Sequence, residues 1–398
     1  MSFPRSRDAA LAVVLAALLG GCALDRSAFG AERDAAVDAP SDAGVDSGSV
    51  DAGPPGPLLH GEGSYMRGSE ASFEDRAGVV RFVAPHARRI DDTRDGMTLV
   101  EGARTNLVRQ SQALGAAAWS HDPSCTLRDD DAVAPDGSST ADRALAPLGE
   151  RCTHQTSQRE AVRHTLSAWF RSDLPGPLRA SGAREVAIRA TSSTGWARLR
   201  ATGLVAAPRF DDVALDGRAG HPASSDVAIA HDVLTWGWQL EAARFASSYI
   251  RTGADTATRP ADTWVFAPSD VDPRLASGPW SVSVEPGWTR SELDGVAWVI
   301  SFSPSSGLRF RRTGPMVIEA VVDGIPVAAV AVPDLQRGNA LRIDVHPSAG
   351  RLVLTHEGSA VETSVSPWSW AIEGDVRIGG RVGGEEELFG WVSVPSTP

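Results

Sequence analysis

Lysine is absent from this 398-residue sequence, so arginine supplies all 38 basic side chains against 50 acidic ones. The formal net charge is −12, and the chain has no run of cations that would neutralise phosphates and release their counterions. This composition excludes nucleic acid as the expected partner.

Cysteine is almost as rare, with three residues, and neither a Cys-x-x-Cys pair nor clustered histidines accompany them. The ligand spacings of zinc sites are therefore missing, and we expect no metal ion. The Gly-x-Ser-x-Gly, His-Glu-x-x-His and phosphate-loop motifs are missing as well. From these absences we expect a protein that is not an enzyme.

The N-terminus has the features of an export signal. Arg5 and Arg7 precede the apolar run Ala9–Leu19, which is too short to span the ~30 Å hydrocarbon core of a bilayer. The run ends in Leu19–Cys22 (LGGC), which resembles a bacterial lipobox. The resemblance implies a lipoprotein signal peptide over residues 1–21 and a lipid on Cys22. An ordinary secretory signal is the alternative.

By analogy with such lipoproteins, Ala23 after the cysteine favours the outer membrane of a Gram-negative bacterium, either at the cell surface or on the periplasmic side. Residues 22–58 are rich in Asp, Ala, Gly and Pro, and the recurring aspartates repel one another, so they predict a disordered, extended tether. Calcium binding by these aspartates is an alternative, but the Asp-x-Asp-x-Asp-Gly loop is missing, and no cofactor is expected.

With Cys22 assigned to the lipobox, Cys125 and Cys152 remain. Two leftover cysteines in an exported protein most simply form a disulfide. Closing this loop would contribute about 3 kcal/mol under the chain-entropy model. The alternative is a pair of buried free thiols.

A series of short motifs organises the middle of the chain. In order they are Glu101–Leu107 (EGARTNL), Ala118-Trp119, Ala134–Gly137 (APDG), Thr140–Arg143 (TADR), Trp236–Glu241 (WGWQLE), Ser248–Thr252 (SYIRT) and Thr258–Asp262 (TRPAD). This ordered set resembles a module of phage tail and head-fibre proteins that is a carbohydrate-binding jelly roll in that family. The resemblance covers Arg67 to Asp262. It implies sugar or surface binding, brings no catalytic residue and names no ligand.

Within these motifs, we expect Asn106 and Arg104 to fix the turn and pair with buried carboxylates rather than contact a ligand. Trp236, Trp238 and Leu240 alternate along the closing strand, which places them on one face. Core packing is the favoured role for these aromatic side chains, and a platform for a sugar ring is the alternative.

In the last part of the chain, apolar and polar residues alternate with the two-residue period of β-strands. Met316–Val322 and Val327–Val332 flank Asp323-Gly324, which predicts a hairpin because both central residues of a type I′ turn need positive φ. The close of the chain, Val376–Gly380 and Leu388–Val394, is similar to that of concanavalin A-like, laminin-G-like sandwiches. We therefore predict an all-β protein with two jelly-roll or β-sandwich domains in tandem, at 59–262 and 263–398, after the signal peptide and tether.

Four tryptophans are candidate ligand-binding residues in the second domain. Trp368 and Trp370 are two positions apart, so on a strand both would project from one face and form a stacking platform for a pyranose ring. Trp280 and Trp288 are candidates of the same kind. For all four, packing in the sandwich core is the favoured role and a binding platform is the alternative.

Together these features predict non-catalytic binding of a glycan or cell-surface polymer by a lipid-anchored, exported protein. A structural or adhesion protein that binds another protein is the second hypothesis. A polysaccharide hydrolase is the least favoured, because it needs two paired carboxylates and the Glu-x-Asp-x-x-Glu motif is absent. The run Glu385–Glu387 is predicted to be a solvated loop.

Overall fold

A computed structural model describes residues 57–174, 176–183, 185–218, 228–293, 295–332, 335–381 and 387–397. The predicted signal peptide, the lipidation site Cys22 and the predicted tether up to residue 56 lie outside the described residues. Within them the chain is nearly all β, which confirms the predicted fold class. The few helical turns are α1 (Arg274–Ser277) and three 3₁₀ turns, at Asp92–Arg94, Pro268–Asp270 and Pro347–Ala349.

The first sixteen strands are β1 Ser64–Met66, β2 Ala71–Glu74, β3 Val80–Val83, β4 Arg89–Asp91, β5 Met97–Val100, β6 Arg104–Asn106, β7 Ser120–His121, β8 Thr126–Ala132, β9 Ala141–Ala146, β10 Arg151–Arg159, β11 Arg163–Arg171, β12 Pro177–Ala183, β13 Val186–Thr191, β14 Ala197–Leu204, β15 Arg209–Asp216 and β16 His231–Glu241. The remaining strands are β17 Ala257–Arg259, β18 Thr263–Phe266, β19 Trp280–Pro286, β20 Gly295–Ser303, β21 Ser306–Arg312, β22 Met316–Val322, β23 Ile325–Ala331, β24 Leu341–His346, β25 Arg351–His356, β26 Ser359–Ser364, β27 Val376–Ile378 and β28 Gly390–Val392.

Two seven-stranded antiparallel sheets form one sandwich, which we call the host sandwich. Their strand orders are β1-β18-β27-β20-β21-β22-β23 and β26-β25-β24-β19-β28-β5-β4. Alternate side chains of both sheets meet in one apolar core, which includes Trp264, Phe310 and Ile318 from one sheet and Val282 and Ile343 from the other. Burial of these alternating apolar faces stabilises the pairing of the sheets.

Two five-stranded sheets form a second sandwich, the inserted sandwich. Their orders are β13-β12-β15-β10-β7 and β14-β11-β16-β9-β8, so the chain crosses repeatedly from one sheet to the other. Leu166, Phe170 and Trp238 from one sheet pack against Ile188 and Leu215 from the other. The predicted disulfide is present and joins Cys125 to Cys152, the second of which lies in β10.

The sheets divide the chain differently from the predicted boundary at 262 and 263. Strands β4 and β5 pair at the edge of a host sheet, with Leu99 opposite both Arg89 and Trp391, and β1 pairs with β18. Strands β1, β4 and β5 therefore belong to the same sandwich as the C-terminal strands, while β2 and β3 form a two-stranded sheet of their own. The inserted sandwich lies between β5 and β18 in the chain.

The host sandwich also begins earlier than predicted. Pro57 bridges to Ser396, and the amide of Leu58 donates to the carbonyl of Pro395 over 2.9 Å. Leu58 and Leu59 are buried in the host core. The end of the predicted tether, at residues 57 and 58, is thus part of the fold.

The predicted hairpin at Asp323-Gly324 is confirmed, and a second hairpin joins β24 to β25. Strands β22 and β23 are joined by Asp323 and Gly324, which have φ of 49° and 82°. Strands β24 and β25 are joined by the 3₁₀ turn that ends at Gly350. His346 and His356 lie at opposite ends of this second hairpin, opposite Arg351 and Leu341 respectively, so they are not cross-strand neighbours.

Candidate binding cleft

Strands β6 and β17 form a two-stranded stem through which the chain enters and leaves the inserted sandwich. Arg104 pairs with Arg259 and Asn106 with Ala257. Asn106 fixes this connection as predicted: its side-chain amide donates to the carbonyls of Trp238 and Ile250, and its oxygen accepts from the amides of Val108 and Leu240. The first and last motifs of the sequence therefore meet at the stem.

Charged residues of these motifs form a buried ionic network beside the stem. Asp262 accepts from Arg67 over 3.1 Å and also pairs with Arg89. Glu101 pairs with Arg89 and, over 3.0 Å, with Arg259. All five side chains are at most 6% exposed. Burial alone would raise the pKa of Glu101, but Arg259, Arg89 and the hydrogen bonds from Ser248 outweigh it and lower that pKa.

Three of the four candidate tryptophans are core residues, as the favoured interpretation had it, and the alternative of a stacking platform is wrong for them. Trp280, Trp288 and Trp370 are 0–3% exposed. The indole of Trp370 donates to the carbonyl of Val321 over 2.8 Å and packs against Trp280. Trp368 is partly buried and packs edge-on against Trp370. Residues 365–373 form no strand, so the predicted two-residue alternation does not apply there.

Trp236 and Trp238 lie on opposite faces of β16, not on one face. Gly237, with φ of +66°, introduces a bulge, because Trp236 is paired with Trp169 while Gln239 is paired with Ser167. Trp238 thus enters the core of the inserted sandwich, whereas Trp236 packs outside it with Trp169 and Tyr249. Both tryptophans therefore pack in apolar cores, as predicted, but each lies in a different core.

A cleft of about 500 Å³ lies where the inserted sandwich meets the host sandwich. Its apolar surface comes from Phe245, Trp288, Leu293, Val296 and Phe389 with three alanines, and its charged surface from Arg104, Arg244, Glu292 and Glu387. These residues belong to the stem and its two flanks, to the segment after β16, to the β19–β20 connection and the start of β20, and to the segment before β28. Nothing in the sequence spacing brings them together.

Arg104 is a cleft residue, which corrects its predicted pairing with a carboxylate. Its guanidinium lies 4.0 Å from the ring centroid of Phe389 and 5.4 Å from that of Phe245. Its only hydrogen bond among the described residues is to the carbonyl of Ala103, and its buried Nε has no partner. Burial lowers the pKa of Arg104, with Glu241 acting in the opposite direction. The guanidinium of Arg104 is therefore a cation stacked on aromatic rings, and a ligand in the cleft can reach it.

Two further arginines extend the charged side of the cleft along β14. Thr202 donates to the carbonyl of Arg244 over 3.3 Å, which places this strand against the cleft, and Arg200 lies two positions before Thr202 on the same face. Arg198 follows on that face, with its guanidinium 4.5 Å from the ring centroid of Trp169. Arg200 and Glu292 each affect the pKa of the other, so they lie within electrostatic range.

The two glutamates of the cleft are each paired with an arginine at its edge. Glu292 accepts from Arg337 over 2.5 Å and from the amide of Thr289 over 2.7 Å, and burial raises its pKa. Glu387 lies 3.5 Å from Arg377. Of the predicted loop Glu385–Glu387, only Glu387 lies within the described residues, and it is ion-paired rather than solvated. Among the residues that the structure describes, no group of His, Cys, Asp or Glu could hold a metal ion.

No protein-family model and no curated protein sequence matches the chain. Among solved structures, the full extracellular region of zebrafish Gpr126/Adgrg6 is 12% identical, with 68% of this chain and 35% of that chain covered at a TM-score of 0.22. Domains LG4-5 of the mouse laminin alpha1 chain are 11% identical, with 75% and 88% covered at a TM-score of 0.20. The chain spans about a third of the zebrafish region.

TM-scores this low do not assign a fold, so the fold class rests on the strand pairing given above. The phage-fibre resemblance and the lipobox stay predictions. In the described part of the chain, no helix has the length and apolar character needed to cross a membrane.

Proposed function

We propose that this protein binds a glycan or cell-surface polymer without catalysis, and that the ligand lies in the cleft between the two sandwiches. The observation that carries this proposal is the combination of Arg104 stacked on Phe389 with an apolar lining and further charged side chains in one concavity. Sugar rings present apolar faces to aromatic and aliphatic groups and hydroxyls to charged ones, and ligand sites are concave with a few polar groups that fix orientation.

Binding without hydrolysis is favoured by the state of the two glutamates. A glycosidase needs one carboxylic acid free to protonate the leaving oxygen and a second carboxylate as base or nucleophile. Burial raises the pKa of Glu292, but its carboxylate is bonded to the guanidinium of Arg337, and Glu387 is paired with Arg377. Both glutamates therefore have structural partners that compete with a role in proton transfer.

Export and lipid anchoring belong to the same proposal. A disulfide between Cys125 and Cys152 fits an oxidising compartment outside the cytoplasm. Attachment through Cys22 at the outer membrane would place the cleft where it meets envelope polymers. Labelling with a radioactive fatty acid, compared between the wild type and Cys22→Ser, tests the anchor separately from ligand binding.

A glycan array tests the binding function. The chain from residue 23 onward would be applied with and without calcium, beside the variants Arg104→Gln and Arg189→Gln. Arg189 is an exposed arginine on the outer face of the other inserted sheet, so it is a control for the loss of one positive charge. We expect binding that Arg104→Gln weakens and Arg189→Gln leaves intact. If both variants bind equally well, the ligand does not lie in the cleft.

A second candidate function, binding to another protein, is favoured by one end of the inserted sandwich. Val162, Leu204 and Phe210 are 40%, 52% and 72% exposed. The amide of Val205 donates to the carbonyl of Val162, and Phe210 is paired with Gln158, four residues before Val162. Exposed apolar patches of this kind mark protein interfaces. Binding to cells that survives periodate oxidation of their glycans but is lost in Phe210→Ser would favour this function over the first.

A further inference from the structure

Arg200 is a cation without a bonded counter-ion at the end of the cleft. Its side chain is exposed, and among the described residues it makes no hydrogen bond and no ion pair. Glu74, Glu292 and Glu241 lie within electrostatic range of it. Because an arginine stays protonated at neutral pH, its five N–H donors are available to a ligand.

Arg198 presents a second guanidinium beside it. Its flat face lies against Trp169, and one of its terminal nitrogens donates to the hydroxyl of Ser167 over 3.0 Å. Its Nε is buried without a hydrogen-bond partner. Burial lowers the pKa of Arg198 to about 10, which still leaves it charged at neutral pH. Trp169 and Ser167 hold the orientation of this group, so little side-chain entropy would be lost on binding.

The cleft has an excess of positive charge in a protein whose total charge is negative. Six arginines and four glutamates lie in or beside it: Arg104, Arg198, Arg200, Arg244, Arg337 and Arg377, with Glu74, Glu241, Glu292 and Glu387. Glu292 and Glu387 are already paired with Arg337 and Arg377, and Glu241 accepts two hydrogen bonds from Ser247. The six arginines exceed the four glutamates by two, so this part of the molecule has a formal excess of positive charge.

We propose that the cleft selects acidic polysaccharides, with Arg200 and Arg198 binding a carboxylate of the polymer while its sugar ring lies toward Phe389. This proposal rests on the proposed binding function and adds the class of ligand. A guanidinium matches a carboxylate in a planar, two-bond arrangement, and such charge-assisted hydrogen bonds are about twice as strong as neutral ones. Neutral sugars would offer the two cations hydroxyl acceptors but no counter-ion.

Four soluble polymers test the proposal by calorimetry on the chain from residue 23 onward: polygalacturonate, its fully methyl-esterified form, dextran sulfate and neutral dextran. Esterification removes the charge of the carboxylate but keeps the sugar backbone. We expect polygalacturonate to bind, its ester to bind about tenfold more weakly or less, and added sodium chloride to weaken binding. The variant Arg200→Gln should lose about tenfold in affinity for polygalacturonate, and the control Arg189→Gln should lose none.

Each contrary result is informative. If the ester or neutral dextran binds as tightly as the acid, the acidic preference is overturned while the binding function stands. Binding of dextran sulfate without polygalacturonate overturns the choice of carboxylate in favour of sulfate. Equal losses in Arg200→Gln and Arg189→Gln overturn the assignment to this end of the cleft. No binding to any of the four polymers overturns this proposal, and the glycan array then decides the broader function.

Discussion

At the scale of single residues, Gly237 determines which core each neighbouring tryptophan enters. It occupies the left-handed region, and a Cβ at this position would lie 2.9 Å from two ring carbons of Trp169. Gly324 also has positive φ, but a Cβ there would meet nothing within 4 Å. Comparing substitutions at the two glycines therefore separates the energetic cost of the left-handed backbone from that of steric crowding by the added Cβ.

We expect Gly237→Ala to lower the free energy of unfolding by about 2–5 kcal/mol, because left-handed backbone costs about 1–2 and overpacking about 1–3. Gly324→Ala should cost only the backbone part, about 1–2 kcal/mol. Chemical denaturation of both variants measures the difference. Equal losses would mean that Trp169 moves aside without cost.

His231 makes stability depend on pH. Burial lowers its pKa to about 4, with Arg179 and Asp216 within electrostatic range. Between this value and the ordinary pKa of 6.5, the unfolded chain binds more protons than the folded one. Neutral His231 therefore makes its full contribution to the free energy of unfolding above pH 6.5. This contribution falls by up to about 3 kcal/mol as the pH drops toward 4.

Thermal unfolding of the wild type and of His231→Gln, measured from neutral to acidic pH, tests whether His231 lowers stability as the pH falls. The variant should lose less stability than the wild type over that window. Asp142 acts oppositely, because burial raises its pKa to about 6, so only the difference between the two proteins isolates His231. Parallel pH profiles would contradict the assignment.

At the scale of secondary-structure elements, the stem depends on the buried network beside it. Asp262 is bonded to Arg67, Arg89 and the amide of Glu101, so its loss would leave the buried Arg67 without its counter-ion and Arg89 with Glu101 alone. We expect Asp262→Asn to lower the free energy of unfolding by about 3–5 kcal/mol.

The pair of Arg342 and Asp344, on the more exposed face of β24, is the matched control. Asp344→Asn should cost less than about 1 kcal/mol, because solvent screens such pairs and the arginine stays hydrated. Denaturant titrations of the two variants give the comparison. A small loss in both would show that water enters the network when Asp262 is replaced.

Local features of these elements could be predicted from sequence, and features that depend on distant pairing could not. The turn at Asp323 and Gly324 follows from the φ values that these residues tolerate, and the four hydrogen bonds of Asn106 agree with its predicted role in the turn. The bulge at Gly237 is a register shift against β11, and a strand alone does not show its register. Arg104 was misassigned because its aromatic neighbours lie more than a hundred residues away.

At the scale of the whole molecule, the host sandwich is discontinuous in sequence. Its sheets need β1, β4 and β5 from before the insertion as well as β18 to β28 from after it. The ordered series of motifs in the middle of the chain predicts one module but gives no sign that the flanking segments pair with each other. For this reason the domain boundary could not be placed from sequence.

This arrangement predicts which fragments fold. Residues 263–398 alone should remain unfolded, because both sheets would lack edge strands. A chain in which residues 57–106 are joined to 257–397 through an Asn-Gly turn should fold, because Asn106 and Ala257 are already opposite each other. Circular dichroism and NMR dispersion distinguish the two cases. A folded 263–398 fragment would contradict the predicted need for the N-terminal strands.

The pairing of Pro57 with Ser396 has a mechanical consequence. Tension applied between the two ends of the described chain would enter and leave the host sandwich at adjacent points, and would first pull apart the bridge at residues 57 and 58. The inserted sandwich is connected through its two-stranded stem and does not lie between the two points at which the force is applied. A stretched molecule would therefore open its host first and keep the inserted sandwich folded.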